Sequence, residues 1–184
     1  MPNSRPYPFD HRLVITARGR VTRADVENAF DQHKDAVYRF AWTMSSSPAA
    51  AEDITQEVFL TVLRDQVRFD PTRGSLRAFL LGIARNLALK RWRDEHRWDT
   101  LDDDRFVAQP FDLERGEIGE LVSSAIRTLP PLQREVVILA EYEELSLEQI
   151  GRAVEAEVGT VKSRLHRARQ NLRRMLAPVA SLVR

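Results

Sequence analysis

The sequence has no cysteine and little glycine, and both shortages exclude classes of chemistry. Without cysteine, the 184-residue chain has no disulfide, no thiolate nucleophile and no cysteine-ligated zinc. Its seven glycines lie apart, and no segment fits a glycine-rich phosphate loop or the serine elbow of hydrolases. The four histidines are far apart and lack ligand spacing such as an i, i+4 pair. We therefore predict no catalytic residue, no metal site and no cofactor.

Long hydrophobic runs and a large net charge are also missing. The longest uncharged apolar run, AFLLGIA, is far too short to cross a bilayer, and the N-terminus has no signal-peptide core. We predict a cytoplasmic protein with no membrane insertion. The formal net charge is +1 although 30% of the residues are charged. The distribution of the two signs is therefore more informative than their sum.

Apolar residues recur at helical spacing through almost the whole chain, which predicts an all-α fold. The predicted helices run from Thr22 to about Met44, Ala49 to Gln66, Leu76 to about His96, Ile118 to Thr128, Pro131 to Tyr142, Ser146 to Val154, and Gly159 to about Leu176. Thr22 and Ser146 are the predicted N-caps, and Gln149 completes a capping-box pattern with Ser146.

A change of composition divides these helices into two groups. Between residues 98 and 117 acidic residues far outnumber arginines, and proline and glycine interrupt the pattern. We predict two small helical domains, residues 22–97 and 118–184, joined by an acidic linker at 98–117. Residues 1–21 form an N-terminal extension of unknown role. The alternative is an irregular loop within a single domain.

The last predicted helix is strongly basic. No Asp or Glu follows Glu157, and nearly all of the Lys and Arg residues after it lie in this helix. On a helical wheel Val161, Leu165, Ala168 and Leu172 form an apolar stripe, and the opposite side is polar and basic. A short amphipathic helix precedes it across about four residues. The pair predicts a helix-turn-helix whose second helix enters the major groove of DNA. A solvated basic face is the alternative.

The segments LPPLQREVVILAEYEEL, LSLEQIGRAV and GTVKSRLHRAR resemble region 4 of bacterial extracytoplasmic-function (ECF) sigma factors, which direct RNA polymerase to promoters. The resemblance covers about sixty residues and implies that the last helix reads the −35 element. The implied base-contacting positions are Lys162, Ser163, His166 and Arg167. On the wheel, Arg164 and Arg169 lie on the flanks, where we predict phosphate contacts.

The turn of the helix-turn-helix departs from the family pattern. The family often has glycine there, whereas this chain has Glu155, Ala156 and Glu157. A residue other than glycine with positive φ costs on the order of 1 kcal/mol. Either this turn adopts another shape, or the domain tolerates that cost.

The segment AAAEDITQEVFLTVLRD resembles region 2.2, with which the family docks on the clamp helices of the polymerase β′ subunit. The β flap is the second polymerase contact that the resemblance implies. The wheel places Asp53, Gln56 and Glu57 on one face with an exposed Leu60 among them, and we predict that these four bind core polymerase. The alternative is that Glu52 and Asp53 only favour the helix N-terminus.

The segment SLRAFLLGIARNLALKRWRDEHR resembles regions 2.3 and 2.4, and the loop FDPTRGS precedes it. In the family this part takes −10 bases out of the stack during promoter melting. The implied contacts with the −10 strand are Phe69, Arg73, Gly74, Ser75, Asn86, Lys90 and Arg93. Ala78 and Gly82 should leave room for a strand on the exposed side. For Phe69, a core aromatic that anchors the loop is an equal alternative.

Together these segments predict a non-catalytic ECF sigma factor that binds core RNA polymerase and promoter DNA. The family is commonly held inactive by an anti-sigma protein, which is a further expected partner. A stand-alone helix-turn-helix regulator explains the C-terminal half but leaves the region 2 resemblance unexplained. A helical protein-interaction module requires both resemblances to be accidental.

Overall fold

The computed structural model describes residues 23–64, 69–95 and 118–182, and every regular element in these ranges is helical. The N-terminal unit contains α1 (Arg23–Ser45), α2 (Pro48–Arg64) and α3 (Leu76–Glu95). The C-terminal unit contains α4 (Ile118–Thr128), α5 (Pro131–Val137), α6 (Leu147–Val154) and α7 (Val158–Leu182). The all-α prediction is confirmed. The predicted extension (1–21), the cap Thr22 and the linker (98–117) lie outside the described residues.

In the N-terminal unit, α1 packs against both α2 and α3. Its apolar stripe is buried at Val37, Phe40 and Ala41, against fully buried residues such as Val58 and Leu80. The predicted break after α1 is present: Ser46 has φ 57° and donates its N–H to the carbonyl of Trp42. This left-handed residue reverses the chain, so that α2 folds back onto α1.

A short 3₁₀ turn, Pro71–Arg73, leads into α3. The Asp70 side chain caps it by accepting from the Thr72 N–H at 2.9 Å. Gly74 follows with φ 151°, a conformation that side chains rarely adopt. Ser75 Oγ then accepts from the Ala78 N–H at 3.2 Å, so it acts as the cap of α3.

The predicted helix from Pro131 to Tyr142 has the expected extent but not a uniform geometry. It begins with Pro131 at a first-turn position and is α-helical to Val137. The last five residues, Ile138–Tyr142, form a π turn, in which the Glu143 N–H donates to the Ile138 carbonyl at 3.1 Å. A π turn contains one residue more than an α turn, so it changes which later residues share a face with earlier ones.

The predicted helix-turn-helix forms from α6 and α7. The capping box of Ser146 and Gln149 is present, with both reciprocal bonds made. The turn keeps the left-handed shape, because Glu155 has φ 54° and ψ 47°. A β-carbon at Gly151 would lie 2.8 Å from the Ala156 carbonyl oxygen, so only glycine fits where α6 passes the turn.

The two units pack against each other. Helix α3 contacts α6, and α1 contacts α4, α5 and the π turn. Ala78 and Gly82 are buried. The prediction that they leave open room on α3 is therefore wrong for this conformation. The physical reason is that small residues allow helices to pack closely. Ala78 and Gly82 lie on α3, which contacts α1 and α2 of its own unit and α6 of the other.

Candidate nucleic-acid and polymerase interfaces

The N-terminal half of α7 presents polar side chains to solvent. Lys162, Ser163 and His166 are exposed, and Arg167 is half-buried. The opposite stripe, with Val161 among its buried members, fixes the helix on its unit. Exposed donors over the first turns of a second helix are what major-groove reading requires. The four predicted base-contacting residues therefore share one accessible region of α7.

The two predicted phosphate contacts on α7 hold carboxylates in this structure. Arg164 is half-buried and its Nη1 lies 3.4 Å from Oε1 of Glu135. Arg169 is exposed and its Nη2 donates to Oε1 of Glu141 at 2.6 Å. Their role as phosphate contacts remains a prediction. It requires each guanidinium either to leave its carboxylate for a phosphate or to bind both at once.

The loop before α3 lies next to the C-terminal unit. Phe69 is half-buried and packs on Phe79, with ring centroids 6.1 Å apart. This contact is what the alternative of a loop-anchoring aromatic requires. A β-carbon on Gly74 would lie 3.9 Å from Nε of Arg152 in α6. Ser75 is exposed, and the side chain of Arg73 lies outside the described part of the structure.

The predicted −10 contacts on α3 differ in their surroundings. Asn86 is half-buried; its Oδ1 accepts from Arg85, and its Nδ2 lies 3.5 Å from the Glu155 carboxylate of the turn. Lys90 and Arg93 are exposed, and Arg93 Nε donates to the Leu89 carbonyl at 3.1 Å. The structure therefore leaves the far end of α3 open and places the C-terminal unit beside Asn86.

The predicted polymerase-docking residues lie on the outer face of α2. Asp53, Gln56 and Glu57 are exposed, whereas Leu60 is half-buried and less exposed than predicted. Asp53 accepts from Arg91 of α3 at 3.3 Å. A groove of about 320 Å³ runs between α2 and α3, lined by Asp53, Ile54, Glu57, Leu87, Lys90, Arg91 and Asp94. Acids from one helix thus face bases from the other across a shallow apolar floor.

Sequence reasoning missed a buried carboxylate, Glu143, at the boundary of the units. It is almost completely inaccessible to solvent. Arg39 of α1 donates to Oε1 at 2.9 Å, and Arg77 of α3 donates to Oε2 through Nε at 3.0 Å and through Nη2. A buried carboxylate requires paired, hydrogen-bonded partners, and both arginines belong to the other unit.

Glu135 is a second buried carboxylate that sequence reasoning missed. It accepts from Arg85 of α3 and from Arg164 of α7. In an uninterrupted α-helix, residues eight apart are about 80° apart around the axis. The extra residue of the π turn moves Glu143 to within about 20° of Glu135. The available signal was one glutamate, Glu135, directly before the apolar run VVILA. Glu143 gave no such signal, because its place on the same face depends on the π turn.

Arg134 ties the C-terminal unit to the end of α1. Its Nη1 donates to the Met44 carbonyl at 2.7 Å and its Nη2 to the Leu129 carbonyl at 2.9 Å. Burial, together with the nearby charge of Arg127, lowers the pKa of Arg134 to about 10. The guanidinium still carries its charge near neutral pH, so it makes two charge-assisted bonds.

Neither a metal centre nor a membrane span is present in the described ranges. Residues 23–64, 69–95 and 118–182 contain no group of three potential ligands that could hold a metal ion. Within the same ranges, none of the helices has the length and apolar character needed to span a membrane.

Family models match both units. The model for Sigma-70 region 2 matches residues 29–98, and the model for Sigma-70 region 4 matches residues 119–172. Among curated relatives, the ECF RNA polymerase sigma factor SigE of Mycolicibacterium smegmatis is 39% identical over 158 residues, with 82% of this chain and 61% of the relative covered. SigW of Bacillus subtilis is 31% identical over 183 residues, with 89% and 97% covered.

Solved structures show the same fold. The sigma factor RpoE of Bartonella quintana, in complex with the anti-sigma factor NepR, matches with a TM-score of 0.65 at 26% identity. That match covers 83% of this chain and 97% of the RpoE chain. CnrH, in complex with the cytosolic domain of CnrY, matches with a TM-score of 0.63 at 22% identity, over 85% and 90% of the two chains.

Proposed function

This chain belongs to the ECF group of RNA polymerase sigma factors, and from that premise we propose which surface performs each part of promoter recognition. The N-terminal unit docks on core polymerase and holds the melted −10 strand. The C-terminal unit reads the −35 duplex. Sigma factors are non-catalytic initiation subunits, and we extend this to the present chain, which acts in the cytoplasm. An acidic linker at 98–117 joins the two domains.

The observation that carries the −35 assignment is the geometry of α6 and α7. The capping box fixes the start of α6, and the left-handed Glu155 directs α7 away from it. Lys162, Ser163 and His166 then project from the first exposed turns, with Arg167 beside them. Their hydrogen-bond donors suit guanine and phosphate acceptors in the major groove.

The groove between α2 and α3 supports the polymerase assignment. Its rim carries the exposed Asp53 and Glu57, and its floor is apolar at Ile54 and Leu87. A charged rim around an apolar floor is the usual composition of a protein–protein contact. We propose that the β′ clamp helices bind across this groove and that the β flap contacts the C-terminal unit.

The structure of RpoE in complex with the anti-sigma factor NepR suggests a further partner class. We propose that an anti-sigma protein also binds this chain and competes with polymerase for the N-terminal unit. We place its contact on the groove between α2 and α3, so that its binding excludes the clamp helices.

Transcription with purified core polymerase tests the proposal. The chain should co-elute with core enzyme and direct initiation from a narrow subset of a promoter library. Asp53→Arg together with Glu57→Arg should abolish co-elution, because it reverses the charge of the groove rim. Asp31→Arg together with Asp35→Arg, at two exposed positions of α1 that are also four residues apart, is the control of equal charge change. Binding of the library DNA without co-elution would instead identify a stand-alone regulator.

A further inference from the structure

Two arginines of the N-terminal unit converge on one carboxylate that the C-terminal unit supplies. Arg39 and Arg77 lie on different helices, and both donate to Glu143. Their side chains are 44% and 37% exposed, whereas that of Glu143 is not exposed at all. The arginines therefore form a site that is open to solvent on one side, and the carboxylate closes the other.

The chemistry of this site suits more than one anion. A guanidinium binds a carboxylate and a phosphate with the same planar fork of N–H donors. Glu143 reaches the site only because the two units are packed together. When they separate, both arginines lose this ligand and remain as an unpartnered positive pair beside the loop that ends at Gly74.

The position of Arg77 connects the pair to DNA. It lies in the first turn of α3, three residues after Gly74, on the helix that also carries Arg85 and Asn86. In the packed chain Glu135 holds Arg85, and the Glu155 carboxylate lies 3.5 Å from Asn86. Three polar residues of α3, at different angles around the helix, therefore meet carboxylates of the C-terminal unit: Arg77, Arg85 and Asn86.

We infer that Arg39 and Arg77 form a phosphate-binding site for the promoter strand, and that Glu143 occupies this site as an internal competitor while the two units are packed together. This inference rests on the proposed function, because it adds two residues and a control step to the same DNA surface. Strand binding requires the units to separate, and Glu143 lowers the apparent affinity of the chain for DNA by favouring the closed state.

If Glu143 competes with DNA, loss of the carboxylate should raise the affinity for DNA, whereas loss of an arginine should lower it. Glu143→Gln keeps the shape of the side chain but removes its charge, so the closed state weakens and the DNA site is released. A purely structural ion pair would behave differently, since loss of either partner would weaken every activity of the chain.

The test uses the full chain and a fluorescently labelled single-stranded DNA of mixed sequence, because phosphate contacts do not depend on base sequence. Glu143→Gln should tighten binding by about threefold or more, since apparent affinity rises with the open fraction. Glu144→Gln, the exposed neighbouring residue, is the control of equal charge change and should bind like the unmodified chain.

The arginines are tested in the Glu143→Gln background, where the closed state no longer masks them. Arg77→Gln should weaken binding by about fivefold and reduce the slope of log affinity against log salt by ~0.7. Arg23→Gln, a highly exposed arginine at the start of α1, is the control and should change neither. Unchanged or weaker binding by Glu143→Gln, or equal behaviour of the two arginine variants, would overturn the inference.

Energy transfer between two dyes tests the inference on a chain that keeps Arg39, Arg77 and Glu143, so the result does not depend on whether a substituted ion pair still folds. Since the chain has no cysteine, Ala49→Cys and Ala177→Cys accept a donor and an acceptor dye at two exposed positions, one on each unit. Energy transfer should fall as the single strand saturates the protein, because binding separates the units. Constant transfer at saturation contradicts the inference. Loss of transcription alone, with transfer still responding to DNA, would contradict the proposed function instead.

Discussion

Nε of Arg85 donates to the carboxylate of Glu135 at 2.8 Å, across the boundary between the two units. The other oxygen of that carboxylate lies 3.4 Å from Nη1 of Arg164. One buried side chain thus joins α3 and α7, the two helices proposed to meet the −10 and −35 elements. Because of this link, the positions of the two DNA-facing helices depend on each other in the closed chain.

Loss of the Glu135 charge should destabilise the fold. Glu135→Gln removes the buried negative charge that two arginines share, and each arginine has less than a fifth of its side chain exposed. We expect the free energy of unfolding to fall by about 3 kcal/mol, since removing one member of a buried ion pair leaves uncompensated charge. Urea denaturation measures this, with the exposed Glu157→Gln as control. A loss no greater than in the control would show that the arginines find other partners.

Alanine substitutions at two glycines should change the stability of the chain in opposite directions. Gly151→Ala places a β-carbon 2.8 Å from the Ala156 carbonyl oxygen, so backbone must shift, at about 1–3 kcal/mol. At Gly159 nothing lies within 4 Å of an added β-carbon. Gly159→Ala should therefore raise stability by about 0.5–1 kcal/mol through helix propensity. Thermal melting measures the change in stability of each variant. A change of the same sign in both would contradict the close approach of α6 to the turn.

Arg167 should contribute to binding of the −35 duplex. Arg167→Ala removes a half-buried guanidinium beside the exposed turns of α7. We expect a loss of about 1–3 kcal/mol in duplex affinity, concentrated at one base position, if the guanidinium reads a guanine edge. Footprinting or anisotropy on the selected promoter measures it, with Arg174→Ala on a later exposed turn as the comparison. Equal losses for both variants would indicate phosphate contact alone.

The histidine of α1 should make stability depend on pH. Burial, reinforced by the positive charge of Arg77, lowers the pKa of His33 below its ordinary 6.5. The unfolded chain therefore takes up a proton more readily than the folded one, and stability falls as pH drops from about 7 to about 5. Urea denaturation of the unmodified chain and of His33→Gln across this pH range measures the effect, and His33→Gln should remove part of the dependence. Identical pH profiles for the two chains would exclude the contribution of His33.

The helices and the helix-turn-helix were predictable because their signals are local. The stripe of Val161, Leu165 and Ala168 is buried as predicted. The capping box at Ser146 forms as its two residue types require. The left-handed turn also forms, which settles the choice that the sequence left open: Glu155 adopts it without glycine. Each of these features depends on residues within a few positions of one another.

The contacts between the units could not be predicted in this way. Periodicity identifies an apolar stripe, but it does not pair Arg77 with a glutamate 66 positions later. Ala78 and Gly82 illustrate the error, since small residues are equally compatible with a nearby nucleic-acid strand and a closely packed helix. The π turn is likewise invisible to a wheel drawn at a constant angle, and without it Glu143 would not share a face with Glu135.

The π turn from Ile138 to Tyr142 also constrains the length of this segment, beyond the identity of its residues. Removal of a single residue would convert it to an ordinary helical turn and rotate everything after it by about 100°. Exchanges of similar volume at the buried Ile138 and Leu139 would leave the angle of Glu143 intact. Among descendants of this sequence, such conservative exchanges should therefore be tolerated between residues 138 and 142, whereas insertions and deletions should be eliminated.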